Sequence, residues 1–482
     1  MSQSRQIFKN TVVLTVSDLI DKVGNIVVTL IISRLLHASG LGVYSTATAY
    51  YSVIALSGAM GATNFLVREI ARDLAKTNRY VIHLAVLGVG ISAALIAVLI
   101  AILPVLPYSP ELATSTYVII LAIIPGTLVI IQEAVFVAHQ RTEFVTATKL
   151  LSTLVNVVIS LVLLMYGYGV VSLLIAFVVE QYLVSICYFY CINRFICRLH
   201  WEFEFAYVPT LVQEIKTFAA LSLLAALFAR PEVIMLSILK DETATGYYSA
   251  ALKIVSLWYF LPQIFMTNVY PVLSRSYQQT TEAKFQLIQD KAVKYLLVIS
   301  LPLTIGMIAA AKPIVYLFNG PGFDPAVPIL QILTWSLLLN ALNAVLWRVL
   351  AARNEQNLDL RTRIVTIVVR LGSGYALIVS MAALGAALAT VISLVLNVLM
   401  LLYYVNRSTF KLHLMRLGWR SAIASIGMGL VVWWATPGVS LMFVIPLAAL
   451  VYVGLVYLLK IFSADDLALF RQIWQPQQAK EA

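Results

Sequence analysis

Ionisable side chains occur inside stretches of this sequence that are otherwise long and apolar. Those in the first half of the chain are mostly acids, and those in the second half are mostly bases. An ionised group at the centre of a bilayer costs about 2.5–3.5 kcal/mol on insertion scales, so we expect these side chains to face a protein-lined or water-filled interior. They are Asp18, Asp21, Lys22, Glu133 and Glu180 in the first half, and Arg230, Glu232, Lys253, Arg348 and Arg370 in the second.

The basic residues of the second half favour the binding of an anion. Arginine holds phosphate through two parallel hydrogen bonds, and a low dielectric constant strengthens the attraction. We therefore predict that Arg230, Lys253 and Arg370 hold a phosphate headgroup, with Lys22 as a fourth candidate. Arg348 lies near the end of its apolar stretch, so we expect its long side chain to reach the membrane surface instead.

A carboxylate near the middle of a membrane suits proton or cation coupling. The candidates for this role are Asp18, Asp21, Glu180 and Glu232. A structural alternative stays open, in which the charges pair across helices and hold the protein together. Asp18 and Lys22, for example, lie one helical turn apart and could form such a pair.

The composition is that of a polytopic membrane protein. Of the 482 residues, 61% are hydrophobic and 11% are charged, with a mean hydropathy of +0.91, whereas soluble domains carry about 25% charged residues. We predict an all-α fold with about fourteen transmembrane helices, because a span needs about 20 apolar residues. The predicted ranges are 11–35, 43–66, 81–103, 116–138, 144–166, 170–192, 217–239, 246–272, 293–318, 327–350, 362–381, 384–405, 419–436 and 440–461.

The basic residues of the loops predict the orientation of the chain. Placing the N-terminus inside puts nearly all of them on the cytoplasmic side and leaves only Arg34, Lys240 and Lys312 outside. This asymmetry indicates cytoplasmic N- and C-termini in the plasma (inner) membrane. It also accounts for the net charge of +11 without nucleic acid, since no basic stripe is interleaved with exposed aromatic residues.

An internal repeat divides the predicted helices into two sets. Gly42-Val43-Tyr44-Ser45 after the first span matches Gly246-Tyr247-Tyr248-Ser249 after the seventh span. We predict two pseudo-symmetric six-helix lobes, 1–200 and 217–407, related by an axis along the membrane normal. An interfacial linker, 201–216, joins them, and two accessory helices with a cytoplasmic tail follow at 408–482.

No catalytic motif is present in the sequence. It lacks a phosphate-binding G-x-x-x-x-G-K-[ST] loop and a metal-binding H-E-x-x-H pattern, and its five histidines are scattered. The three cysteines lie near one another but lack a paired metal-binding spacing. We therefore expect no enzymatic activity, no cofactor and no metal.

The order of several short motifs resembles that of the oligosaccharide flippases, the polysaccharide-export branch of the superfamily that also contains multidrug and toxin extruders. An arginine and an acid in a membrane helix precede G-x-Y-x-x-A-x-K and P-x-L-S. The matching residues are Arg230, Glu232, Gly246, Tyr248, Ala251, Lys253, Pro271, Leu273 and Ser274. Further matches are Ile32–Leu36, Val67–Ala71, Leu317-Phe318 with Phe323, Ile329–Leu333, Leu350–Asn354 and Leu384–Ala387.

The resemblance implies a twelve-helix core with two accessory helices and transport by alternating access. Its implied substrate is a polyprenyl-pyrophosphate-linked oligosaccharide, moved from the inner to the outer leaflet for surface polysaccharide biosynthesis. Membrane lipids and a polysaccharide polymerase or glycosyltransferases are the implied partners. The family motif has aspartate where this chain has Glu232, which keeps the charge. Lipid II flippases share the fold but place key arginines in the first lobe, where this chain has only Lys22, so that branch is not expected.

Two alternatives remain. A cation-coupled multidrug extruder shares an acidic first lobe, although a basic second lobe suits cationic drugs poorly. A non-transporting membrane subunit of a polysaccharide assembly complex would tolerate neutral substitutions throughout the cavity. Drug-efflux assays and neighbouring glycosyltransferase genes would discriminate among these functions.

Overall fold

The fold is described from a computed structural model that covers residues 3–279, 282–407, 411–436 and 438–462. Within these ranges, the side chains of residues 3–19, 21, 278, 279 and 282 are outside the description. The described residues are helical nearly throughout, as the sequence predicts. Eleven stretches of them are long and apolar enough to cross a membrane.

Sixteen α-helices are present in the described part of the chain. The first eight are α1 Gln3–Gly58, α2 Ala62–Arg72, α3 Thr77–Ile102, α4 Pro110–Ala138, α5 Thr142–Met165, α6 Val170–Phe195, α7 Val208–Ala229 and α8 Pro231–Leu239. The others are α9 Glu242–Ser256, α10 Phe260–Gln279, α11 Glu282–Ala309, α12 Ala311–Asn319, α13 Ala326–Ala352, α14 Gln356–Asn406, α15 Leu414–Ala435 and α16 Leu441–Leu458. They account for about fourteen membrane crossings and confirm the all-α polytopic class.

Several predicted spans have different boundaries in the structure. The first span and most of the second lie in one helix, α1, which bends sharply at His37, and the end of the second span lies in α2. The spans 362–381 and 384–405 form α14, which bends at Ala382. Conversely, the span 217–239 is broken between α7 and α8, where Pro231 cannot donate a backbone hydrogen bond to the preceding turn. Hydropathy measures apolar length and does not detect a change in backbone direction.

Close packing of the helices divides the chain into two units. The first consists of the residues up to Leu257 together with Asn319–Phe323 and Leu371–Ala389. One of its apolar clusters joins α2, α3, α4 and α6 with residues of α5 and α7, and Phe65, Phe136 and Tyr188 are fully buried in it. A second cluster packs α1 against α4 and α6.

The second unit consists of Trp258–Phe318, Asp324–Arg370 and the residues from Thr390 onward. Its main cluster joins α10, α11, α13 and α14 around the fully buried Val345, Val349 and Leu401. The helices α15 and α16 pack on α11 through smaller clusters around Met428 and Ala424. The six-helix lobes and the boundaries drawn from the sequence stay predictions.

Candidate anion-binding site

A cavity of about 340 Å³ lies in the first unit, among α1, α9 and the break between α7 and α8. Its lining residues are Lys22, Asn25, Ile26, Arg230, Lys253, Ser256 and Leu257. Three of the four basic residues predicted to bind phosphate therefore line one cavity. Lysine and arginine far apart in the sequence converge here because three helical elements meet.

The helix α1 contributes one face to this cavity. Lys22, Asn25 and Ile26 have the three- and four-residue spacing that puts side chains on the same side of a helix. Gly24 lies on another side of the helix, where a Cβ would come within 2.0 Å of the Thr153 Cγ2 atom of α5. The lack of a side chain at Gly24 lets α1 pack closely on α5 while its other face lines the cavity.

The break between α7 and α8 contributes Arg230. This residue has non-helical dihedral angles (φ −154°, ψ 46°) and precedes Pro231, the first residue of α8. Proline suits that position because its missing N–H would have no partner in the first turn. Arg230 therefore lies next to the N-terminus of α8, whose dipole adds partial positive charge.

The last turn of α9 contributes Lys253 and Ser256. The Ser256 hydroxyl donates a hydrogen bond to the Lys253 carbonyl oxygen over 2.8 Å. The negative end of the α9 dipole lies at this turn, where it stabilises the lysine cation. The helix ends at Ser256, and the residue that follows it, Leu257, also lines the cavity.

The lining is positively charged. It contains three basic side chains and no acidic one, and neither Arg230 nor Lys253 forms an ion pair with an acid in the described part of the chain. Both are half-buried. Like charges held together in a partly desolvated cavity repel one another, so a bound anion would relieve the repulsion.

The acidic candidates lie in different surroundings. The half-buried Glu180 of α6 accepts a hydrogen bond from the Asn156 side-chain amide of α5, and the Ser160 hydroxyl donates to the side-chain oxygen (Oδ1) of Asn156 over 3.3 Å. Glu232, in the first turn of α8, is 2% exposed. The side chains of Asp18 and Asp21 are outside the described part of the structure. The predicted ion pair of Asp18 with Lys22 is therefore also outside it.

Two other charged residues bind groups of the protein, and one of them, Glu133, forms a charge pair between helices as the structural alternative expects. Glu133 contacts the Lys149 ammonium over 3.6 Å and accepts a hydrogen bond from the Tyr188 hydroxyl over 3.2 Å. Arg348, which was expected to extend toward the membrane surface, is 8% exposed and donates to the Ala344 carbonyl and to the Gln263 side chain, each over 3.1 Å.

The fourth predicted phosphate ligand, Arg370, lies on α14 in the second unit and is not among the residues that line the cavity. Asn25 and Ser256 do line it but were not predicted. Both lie three residues after a predicted ligand, Lys22 and Lys253 respectively. Helical spacing could therefore have indicated them, although an uncharged polar residue carries little signal on its own.

The sequence matches the models of two protein families. The family described as "Polysaccharide biosynthesis protein" matches residues 31–328, and the family described as "Lipid II flippase MurJ" matches residues 241–459. The second match was not expected, because the first half of the chain has only Lys22 where lipid II flippases have key arginines. A curated relative, "Probable low-salt glycan biosynthesis flippase Agl15" of Haloferax volcanii, is 21% identical over 199 residues. That alignment covers 41% of this chain and 42% of the relative.

Solved structures show the same fold at low identity. A structure titled "Lipid II flippase MurJ, inward closed conformation" is similar over 96% of this chain and 100% of its own, with a TM-score of 0.76 and 16% identity. An inward-facing multidrug resistance transporter of the MATE family, in the MOP superfamily, is similar over 85% of this chain and 98% of its own, with a TM-score of 0.66 and 16% identity.

Proposed function

The chain belongs to the polysaccharide biosynthesis protein family, and on that premise we propose that it is a flippase for a lipid-linked oligosaccharide. The substrate is a polyprenyl-pyrophosphate-linked oligosaccharide, which moves from the inner to the outer leaflet of the cytoplasmic membrane. The similarity to the glycan flippase Agl15 and to lipid II flippases supports transport of a lipid-linked glycan.

The observation that carries this proposal is the cavity lined by Lys22, Arg230 and Lys253. A pyrophosphate diester carries two negative charges, and the guanidinium of Arg230 can hold phosphate oxygens through two parallel bonds. The ammonium groups of Lys22 and Lys253 add point charges, and Asn25 and Ser256 add neutral hydrogen-bonding groups. Arg370 remains a proposed ligand that the substrate meets at another stage of transport.

The proposed transport is by alternating access with cytoplasmic termini. The cavity takes the headgroup from the inner leaflet and releases it at the outer leaflet. Glu180, Glu232, Asp18 and Asp21 are the proposed coupling residues, and Glu180 accepts a hydrogen bond from the Asn156 amide of the neighbouring helix α5.

The test is flipping of a lipid-linked oligosaccharide in proteoliposomes. A fluorescent polyprenyl-pyrophosphate glycan is incorporated, and its accessibility to an impermeant glycosidase is followed with time. We expect accessible substrate to rise above the level of empty liposomes in a protein-dependent way. Equal accessibility with and without protein would contradict the proposal.

A matched pair of variants makes the test specific. Arg230→Gln removes a cation of the cavity, and Arg348→Gln removes a buried arginine of the second unit that binds other protein groups. We expect loss of flipping only with Arg230→Gln at equal insertion. Transport of organic cations that survives Arg230→Gln would favour the multidrug extruder instead.

A further inference from the structure

One side of α13 in the second unit carries polar and aromatic side chains that are partly open. Asn340, Asn343 and Trp347 have the three- and four-residue spacing of one helix face, and all three are half-buried. Within residues 341–352, every position except Asn343 and Trp347 is buried. We call Asn340, Asn343 and Trp347 together the α13 stripe. It is the accessible face of a helix that is otherwise packed into the protein.

The α13 stripe lies within a membrane span, because α13 is long and apolar enough to cross a membrane. An amide in contact with lipid would leave its donors and acceptors without partners, so polar residues at this depth face the protein interior or a water-filled cavity. The exposed Trp335 of the same helix lies about 120° around the helix axis from Trp347. The stripe therefore faces a polar interior and not the side of α13 that carries Trp335.

A chain of hydrogen bonds fixes the orientation of the Asn343 amide. The Thr366 hydroxyl donates to the Thr362 carbonyl oxygen over 2.7 Å, so its own oxygen accepts the bond from the Asn397 side-chain amide over 3.0 Å. The Asn397 side-chain oxygen accepts a bond from the Asn343 amide over 2.8 Å. Because each link sets the direction of the next, Asn343 turns an N–H toward Asn397 and its side-chain oxygen away from it.

The α13 stripe also keeps hydrogen-bonding groups open. The Asn340 amide donates to the Ser336 carbonyl oxygen over 2.8 Å. In the part of the chain that the structure describes, the Oδ1 atoms of Asn340 and Asn343 and the indole N–H of Trp347 have no protein partner, yet none of these atoms is buried. Two acceptors and one donor are therefore accessible along one face of the helix.

The neighbouring residue holds the indole ring of Trp347 and leaves the stripe neutral. The Arg348 guanidinium lies 4.7 Å from the centre of the ring, and it donates hydrogen bonds to the Ala344 carbonyl and to the Gln263 side chain. The charge of Arg348 is thus already bound by protein groups. What remains accessible is a flat apolar ring beside two neutral amides, which suits an uncharged polar ligand better than an ion.

We propose that the α13 stripe binds hydroxyl groups of the sugar that the substrate carries. A pyranose hydroxyl can donate to an amide oxygen and accept from an indole N–H, and the apolar C–H face of the sugar ring suits an indole. Asn343 and Trp347 contact the sugar, and Asn397 is a positioning residue that acts through Asn343. The presence of a sugar rests on the proposed function, in which the basic cavity recognises only the pyrophosphate.

The experiment compares two lipids that differ only in their sugar. Undecaprenyl pyrophosphate, with and without a disaccharide of N-acetylglucosamine, is titrated into the purified protein in a calorimeter. We expect the parent to bind the glycosylated lipid more tightly. Asn343→Leu keeps the side-chain volume and removes a neutral hydrogen bond, so it should weaken binding of the glycosylated lipid about 2- to 10-fold and leave binding of the bare lipid unchanged.

A matched pair of tryptophan variants separates recognition from folding. Trp347→Phe removes the indole N–H without leaving a buried polar group unpaired, so it should weaken only the glycosylated lipid, by a similar factor. Trp335→Phe makes the same change on another side of α13 and should leave both affinities as in the parent. Asn397→Leu should lower the preference for the sugar as Asn343→Leu does, and the double variant should lose no more than either single variant.

The outcomes distinguish the sugar subsite from the proposed function. Equal affinity of the parent for both lipids, or a sugar preference that survives both Asn343→Leu and Trp347→Phe, would overturn the subsite and leave the pyrophosphate site standing. Equal weakening of both lipids by the stripe variants would also overturn it, whereas Arg230→Gln should weaken both equally because both carry pyrophosphate. Failure of the parent to bind either lipid would contradict the proposed function together with the subsite.

Discussion

Replacing Arg230 with glutamine should weaken pyrophosphate binding by the free energy of a charged hydrogen-bonding contact. Arg230 shares the cavity with two other cations, so its loss leaves Lys22 and Lys253 in place. A hydrogen bond to a charged group contributes about 1.5–3 kcal/mol. Since 1.4 kcal/mol corresponds to a factor of ten, we expect the dissociation constant to rise about 10- to 100-fold.

The conservative variants separate charge from geometry. Arg230→Lys keeps the positive charge but loses the planar fork that holds two phosphate oxygens, so its affinity should fall between those of the parent and Arg230→Gln. Lys253→Gln should weaken binding as well, and the double variant should deviate from additivity because both cations contact one anion.

The assay is isothermal titration calorimetry of the purified protein in detergent with inorganic pyrophosphate, repeated at several salt concentrations. Arg348→Gln is the matched control, because its guanidinium binds Gln263 and a backbone carbonyl outside the cavity. Parent-like affinity of Arg230→Gln, or equal weakening by Arg348→Gln, would refute the reasoning.

Three further predictions concern parts of the fold that support the site. Replacing Arg353, which is 6% exposed and donates to the backbone near the end of α14, with methionine should lower the unfolding temperature by several degrees, as measured by calorimetry. Gly126→Ala should also be destabilising, because a Cβ there meets a tyrosine ring at 2.3–2.7 Å, and Gly90→Ala should match the parent. His83→Phe removes the acceptor of the Glu204 N–H bond, so a protease should cleave the segment 200–207 several times faster; an unchanged rate would contradict this bond's role.

The fold class could be predicted from the sequence because apolar length reports membrane crossings directly. The bends at His37 and Ala382 could not be predicted, since neither residue carries a local signal for a positive φ angle. Pro231 did signal a break, and it turns Arg230 out of regular helix. A change in backbone direction can be predicted from the sequence when a proline causes it, but not when tertiary packing causes it.

The site was predicted in part because charge inside an apolar stretch is a strong signal. Arg230 and Lys253 stood out for that reason, and the structure brings them together with Lys22. Residues with weak individual signals, such as Asn25, needed the helices to be placed first. The repeat of Gly42 and Gly246 was visible in the sequence, but their mutual contact depends on how α1 crosses α9.

The most direct test of the anion site is a density map of the protein bound to a polyprenyl-pyrophosphate oligosaccharide. We predict that the two phosphorus atoms lie in the cavity of about 340 Å³, within hydrogen-bonding reach of Arg230 and Lys253. Phosphate density elsewhere, with this cavity empty or filled by water alone, would contradict the account.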